Sequence, residues 1–130
     1  MKEWLAKLTA NIMKIEIYKA CINWNKIITE TARHWGAKKA IFDEWKELVH
    51  WAVYQIPNKP DLPFKKKIKL SFLVEYKDKR RRDVDGICCK PLIDALVDSG
   101  VLIDDSVKYV DTLHIKLVVG TQDKITINVK

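Results

Sequence analysis

Two aspartates separated by a single residue, Asp83-Val84-Asp85, are the first feature of the chain that could do chemistry. In an extended segment, side chains at i and i+2 share a face, so this spacing sets two carboxylates side by side. Two carboxylates that close repel each other. The repulsion is relieved by a raised pKa or by a cation. The neighbouring Arg80-Arg81-Arg82 run is one source of positive charge. Magnesium is another, because it takes hard oxygen ligands, typically a few carboxylates, waters and phosphate oxygens. A second acidic pair, Asp104-Asp105, closes the apolar run Val101-Leu102-Ile103. If strands over 68–76 and 101–103 lie near each other, both pairs converge at one end of a sheet. The plainer reading is also open: Asp85 before Gly86 has the form of a helix N-cap, and Asp104-Asp105-Ser106 that of a polar turn.

Other familiar chemistries are absent from the sequence. The Asp-Val-Asp-Gly string opens like a calcium-binding loop, but Gly86 comes too early and no Glu closes a twelve-residue loop. There is no glycine-rich phosphate loop. Cys88 and Cys89 have no nearby histidine at dyad spacing, and His34, His50 and His114 have no metal-ligand spacing, so the thiols read as core.

The chain has 130 residues, 48% of them apolar and 32% charged, a composition for one globular domain. Its formal net charge of +7 is concentrated. Residues 65–82 hold nine Lys and Arg against Glu75 and Asp78, which accounts for the whole excess. A localised positive surface suits a polyanion, of which a phosphate backbone is the commonest, although a solvated basic face needs no partner. No apolar run reaches the length of a membrane span, no signal-peptide core opens the chain, and an odd number of cysteines without CxxC spacing builds no disulfide framework. These features together point to the cytoplasm.

The elements that must position the aspartates follow from periodicity. Residues 2–12 carry Trp4, Leu5, Leu8 and Ile12 at helical spacing and read as an N-terminal extension to a domain over 13–130. Met13–Tyr18 alternates like a strand, and Cys21–Gly36 reads as a loop. Ala37–Ile56 is the clearest helix, with Ile41, Trp45, Leu48, Val49, Ala52, Val53 and Ile56 on one face and Pro57 as its stop. Residues 68–76 alternate as a strand with one basic face. Residues 83–98 read as a loop and then a helix stopped by Gly100. Val107–Val119 and Ile125–Val129 read as strands joined in a hairpin by Gly120–Asp123. This order predicts a single α+β domain, a mixed β-sheet covered by helices on one face. Trp24 and Trp35, set among Asn23, Asn25, Lys26 and Arg33, either stack on unpaired bases or cap the core beneath a long loop.

Three blocks carry a resemblance: Arg81-Arg82-Asp83-Val84-Asp85-Gly86-Ile87, Lys90-Pro91-Leu92-Ile93-Asp94-Ala95-Leu96, and Gly100-Val101-Leu102-Ile103-Asp104-Asp105-Ser106. Together they closely resemble the RusA family of Holliday junction resolvases, small magnesium-dependent endonucleases of bacteria and phages that act as homodimers on four-way DNA junctions. The likeness continues through Tyr109–His114, is plausible at Asn23-Trp24-Asn25, and spans about residues 13–129. It implies a RusA-like fold in which Asp83, Asp85 and Asp105 are metal-binding catalytic carboxylates, Lys90 is the active-site lysine and Arg82 contacts DNA. Gly86 stands where the family usually has Asn. Lys90 follows Asp85 by one residue more than the usual pattern, an extra residue that a π-bulge or a longer loop must absorb.

The resemblance thus implies paired, symmetrical, Mg²⁺-dependent incision of junctions in recombination and repair, in a bacterial or phage setting. Arg80, Arg81, Arg82, Lys65, Lys67 and Lys69 would track the DNA backbones. Paired incision at a near two-fold junction calls for a C2 homodimer, since one chain holds one such cluster. The alternatives are a catalytically degenerate module that binds branched DNA, and a nuclease for flaps or forks.

Overall fold

The computed structural model describes residues 13–80 and 82–130. The extension over residues 1–12, with its helical spacing, and Arg81 lie outside the described residues. The element order is β1 (Met13–Ile17), α1 (Trp24–Arg33), α2 (Ala37–Tyr54), β2 (Ile68–Tyr76), a 3₁₀ turn (Val84–Gly86), α3 (Lys90–Asp98), β3 (Val110–Val119) and β4 (Lys124–Val129). The strands form one mixed sheet in the order β1-β4-β2-β3. β4 runs antiparallel to both β1 and β2, and β3 runs parallel to β2. This is the α+β domain expected from the element pattern.

Alternation decides which face is buried. Met13, Ile15 and Ile17 of β1, and Ile68, Leu70, Phe72, Val74 and Tyr76 of β2, all point into the core. β4 contributes Ile125, Ile127 and Val129 to the same layer. α2 closes over this layer with Trp45, Val49 and Val53 buried, and α3 adds Leu92, Ala95 and Leu96. Removing this much apolar surface from water is the main force holding helices to sheet. α3 ends as expected at Gly100, whose φ of +83° is the left-handed conformation that glycine adopts without strain. Val101 N–H donates to the Leu96 carbonyl and Gly100 N–H to that of Val97, the two bonds of a Schellman stop.

Three expectations are corrected. The stretch Cys21–Gly36 is not a loop: it contains α1, capped by Asn23, whose Oδ1 accepts the Lys26 N–H at 2.8 Å. β3 and β4 are not a hairpin, because β2 lies between them. The Gly120–Asp123 turn instead wraps the end of β2, with Gly120 N–H donating to the Tyr76 carbonyl and Lys77 N–H to Asp123 Oδ1. The physical reason is burial: β4 is apolar enough for an inner position, whereas β3 carries exposed Thr112, His114 and Lys116 and takes the edge. Finally, Val101–Ile103 is not a strand beside β2. It makes a single parallel bridge, Leu102 to Phe64, ahead of the start of β2.

Candidate active site

The Asp83–Asp85 turn follows the end of β2. Asp83 is extended, but Gly86 N–H donates to the Asp83 carbonyl at 3.0 Å and closes a 3₁₀ turn over Val84–Gly86. Such a turn rotates each residue by about 120°, so Asp83 and Asp85 lose the shared face that an extended segment gives them. Both are exposed. Asp85 caps no helix: the N-cap of α3 is Cys89, which makes no side-chain cap bond. The N-cap reading of Asp85 is therefore set aside. Between this turn and Lys90, Ile87 is extended and bridges to Asn23, and α3 starts at Lys90 with no π-bulge before it.

Asp105 belongs to the other half of the site. Leu102 pairs ahead of β2, and Tyr109 accepts the Ile68 N–H through its carbonyl, so the 103–109 loop runs past the start of β2. Lys90, the first residue of α3, reaches this loop. Its ammonium donates to Asp94 Oδ1 at 2.7 Å and to Asp105 Oδ2 at 3.0 Å. Asp94, one helical turn on, is the larger cause of the raised Lys90 pKa, with Asp105 second. Lys90 in turn holds the Asp105 carboxyl below the usual range. Asp104 points back, its Oδ1 accepting the Asp105 N–H at 2.8 Å. A cleft of about 320 Å³ opens beside the pair, walled by Ile93, Val107 and the β3 residues Thr112 and Leu113.

The two halves border the same strand, since the 3₁₀ turn also packs on β3. They do not merge. Among the described residues no three His, Cys, Asp or Glu side chains come together closely enough to hold a metal. The donor chemistry of Asp83, Asp85 and Asp105, exposed hard oxygens, fits magnesium. Their grouping in this arrangement does not, because the carboxylate of Asp105 is committed to Lys90 and lies in the other half.

Each half has its own basic flank. Lys65, Lys67 and Lys69 are exposed at the start of β2, beside the loop of Asp105. Arg80 is exposed and Arg82 is anchored beside Asp83. The Arg82 guanidinium lies 3.7 Å over the Tyr76 ring and donates to Asp78 Oδ1 at 2.8 Å and to the Arg80 carbonyl at 3.1 Å. Arg82 holds the Asp78 carboxyl down to about 2. Tyr76 is fixed in turn by donating its hydroxyl to the Cys21 carbonyl at 3.0 Å. Sequence reasoning passed over Asp94 and Asp78, the residues that hold the site's cations. The i,i+4 spacing of Lys90–Asp94 and of Asp78–Arg82 was the available signal.

The remaining singled-out residues resolve plainly. Cys21, Cys88 and Cys89 are buried free thiols. His114 is exposed on β3. Trp45 is core, Trp35 is almost fully exposed and Trp24 is partly covered. Among the described residues no helix is long and apolar enough to cross a membrane. In comparisons with known proteins, no family model and no curated sequence matches the chain.

Proposed function

We propose that the protein is a magnesium-dependent endodeoxyribonuclease that cuts four-way DNA junctions, as the resemblance of its three motif blocks to RusA resolvases implies. The observation that carries the reading is the Lys90–Asp105 pair. Residues fifteen apart in sequence, each assigned to the site by motif, meet at 3.0 Å beside a cleft. Exposed cations flanking both acidic clusters support a polyanionic substrate.

The resemblance assigns Mg²⁺ to Asp83, Asp85 and Asp105, but in this arrangement only Asp83 and Asp85 belong to one turn, while Asp105 is bonded to Lys90. Lys90 presents an ammonium to a phosphate oxygen, and Asp94 keeps that ammonium at the cleft. Arg82, fixed over Tyr76, offers a pre-oriented guanidinium to a backbone phosphate. Lys65, Lys67 and Lys69 add sequence-independent affinity. A C2 homodimer would supply the second incision, in recombination or repair of bacterial or phage DNA.

The separation of Asp105 from Asp83 and Asp85 favours a second reading, a module that binds branched DNA without cutting it. One assay distinguishes them. Purified protein is incubated with a labelled mobile four-way junction in Mg²⁺ or EDTA, beside linear duplex, fork and flap controls. Paired symmetrical nicks in Mg²⁺ alone, lost in Asp85→Asn while junction binding persists, establish the resolvase. Asp85→Asn cutting at the wild-type rate refutes it. Binding without nicking in any divalent metal identifies the binding module.

A further inference from the structure

β3 is the last strand of the sheet, and along residues 111–119 its outer side meets no other strand among the described residues. It is ten residues long, where strands commonly run about five or six. None of its residues is fully buried. Leu113, Ile115, Leu117 and Val119 stand opposite the core residues Leu70, Phe72, Val74 and Tyr76 of β2, so they form an apolar row on the helix side of the sheet. The row is only partly covered: Leu113 is 47% and Val119 59% exposed. An open edge of this kind is a template for another strand, and proteins that leave one bare guard it with proline, lysines or bulges. β3 has no proline and one lysine, Lys116, and its register shift against β2 lies at its very start.

The two ends of β3 carry different halves of the site. Its start lines the cleft that holds Lys90, Asp105 and Asp111. Its end, at residues 117–119, lines a cleft of about 130 Å³ with Tyr76, Arg80 and Arg82, and Tyr76 and Arg82 also border Asp83. A two-fold axis normal to the sheet pairs β3 with β3 antiparallel, so the start of one strand lies beside the end of the other. The charges at those ends are complementary. Asp111 and Arg80 are both exposed and make no ion pair among the described residues. A foreign strand could match the apolar row. A second copy matches the row, brings an arginine to each Asp111, and sets a Lys90–Asp105 half beside each Asp83–Asp85 half. We infer that two copies of the chain pair along β3, and that each cleavage site joins Arg82 and the Asp83–Asp85 turn of one chain to Lys90 and Asp105 of the partner subunit. The pairing stands on the edge alone, whereas the shared site rests on the nuclease reading.

Sedimentation velocity of the full chain in EDTA, without DNA, reads the pairing. The wild type sediments as a dimer at micromolar concentration. Leu113→Lys sediments as a monomer with an unchanged circular dichroism spectrum. Asp111→Arg and Arg80→Asp each weaken the dimer by about tenfold or more, and Asp111→Arg/Arg80→Asp recovers it, because the swapped charges attract again. A monomeric wild type overturns the inference, as does a dimer that none of these variants weakens. So does a chain lacking residues 1–12 that dimerises where the wild type does not, which would assign the edge to that segment. Mixing reads the shared site. Asp85→Asn and Asp105→Asn chains, each poor at nicking a junction in Mg²⁺, are combined in equal amounts and equilibrated. About half of the dimers are then mixed and each holds one intact site, so about a quarter of the wild-type nicking returns. No recovery overturns the shared site. If dimerisation behaves as stated and the wild type nicks no junction in any divalent metal, the pairing stands while the nuclease reading, and the shared site with it, fails.

Discussion

The ammonium of Lys90 lies 3.0 Å from Oδ2 of Asp105, tying the first turn of α3 to the loop that enters β3. Asp94 accepts a second bond from the same ammonium at 2.7 Å. The Lys90 side chain is about half exposed, so the pair contributes at most about 1 kcal/mol to folding. Its substitution therefore tests chemistry rather than stability. Lys90→Met should lower junction cleavage by roughly 100-fold or more, the usual cost of removing a group that stabilises developing negative charge, and Asp105→Asn should lower it by a similar factor through the lost anchor of that ammonium. Urea unfolding should move by less than about 1 kcal/mol. Single-turnover cleavage and urea titration on the same preparations decide it. Wild-type cleavage by Asp105→Asn would remove that residue from the site.

Acid should weaken the fold through two identified carboxylates. The Glu16 carboxyl is held down to about 2 by the hydroxyl of Tyr18, then by Lys124 and Lys14. The Asp78 carboxyl is held down to about 2 by Arg82. A carboxyl with a depressed folded pKa stabilises the protein above its unfolded value, near 4, and loses that contribution as pH falls through the folded value. Stability should therefore drop between about pH 4.5 and 2. Glu16→Gln and Asp78→Asn should each be less stable than wild type at pH 7, and the difference should shrink by pH 2. Urea midpoints at both pH values measure this, and a difference that grows toward low pH contradicts it.

The thiols should be silent in the native state. Burial pushes the Cys21 and Cys88 thiols up, and the Cys89 thiol up to about 12. The thiolate is the reactive form, so a chromogenic disulfide reagent at pH 8 should find almost none of it. In guanidinium the same protein should react at all three cysteines, whose unfolded pKa is near 8.5. The linkage runs opposite to that of the carboxylates. These groups keep their protons in the fold, so stability should fall as pH rises past about 8.5. Rapid modification of the native protein would show that a thiol is accessible.

Much of this architecture was legible from period alone. The alternation in 68–76 and the apolar face of 37–56 each belong to one element, and each formed as read. What escaped was non-local. Nothing within β3 or β4 reveals that β2 will separate them, because that order is set by which strand has enough apolar surface to be inner. α1 escaped although its apolar and polar residues do segregate onto faces, because it is short, rich in Asn, Lys, Thr and Glu, and buries only Ile27 fully. At the site, the resemblance assigned Lys90 and Asp105 each to the active site, but their direct ion pair, made across fifteen residues, was not legible in the sequence. The i, i+2 spacing placed Asp83 and Asp85 side by side, since it assumed an extended backbone where one hydrogen bond, from Gly86 N–H to the Asp83 carbonyl, closes a turn.

The basic flanks should separate by their chemistry. Lys65, Lys67 and Lys69 are exposed point charges at the start of β2 and make no ion pair among the described residues. Each one that meets a phosphate releases condensed counterions on binding, so each Lys→Ala change should reduce the log–log salt slope of junction affinity by about 1, for any sequence. Arg82 differs because its guanidinium is stacked on Tyr76 and bonded to Asp78. A lysine there keeps the charge but has neither the plane nor the fork. Arg82→Lys should therefore leave the salt slope near its wild-type value while weakening junction binding and costing about 1 kcal/mol of stability through the lost cation–π contact. Anisotropy titrations of a catalytically inactive background from 50 to 300 mM salt, beside urea melts, read both quantities. If Arg82→Lys matched the wild type in affinity and stability, the anchoring of Arg82 over Tyr76 would have no part in holding DNA.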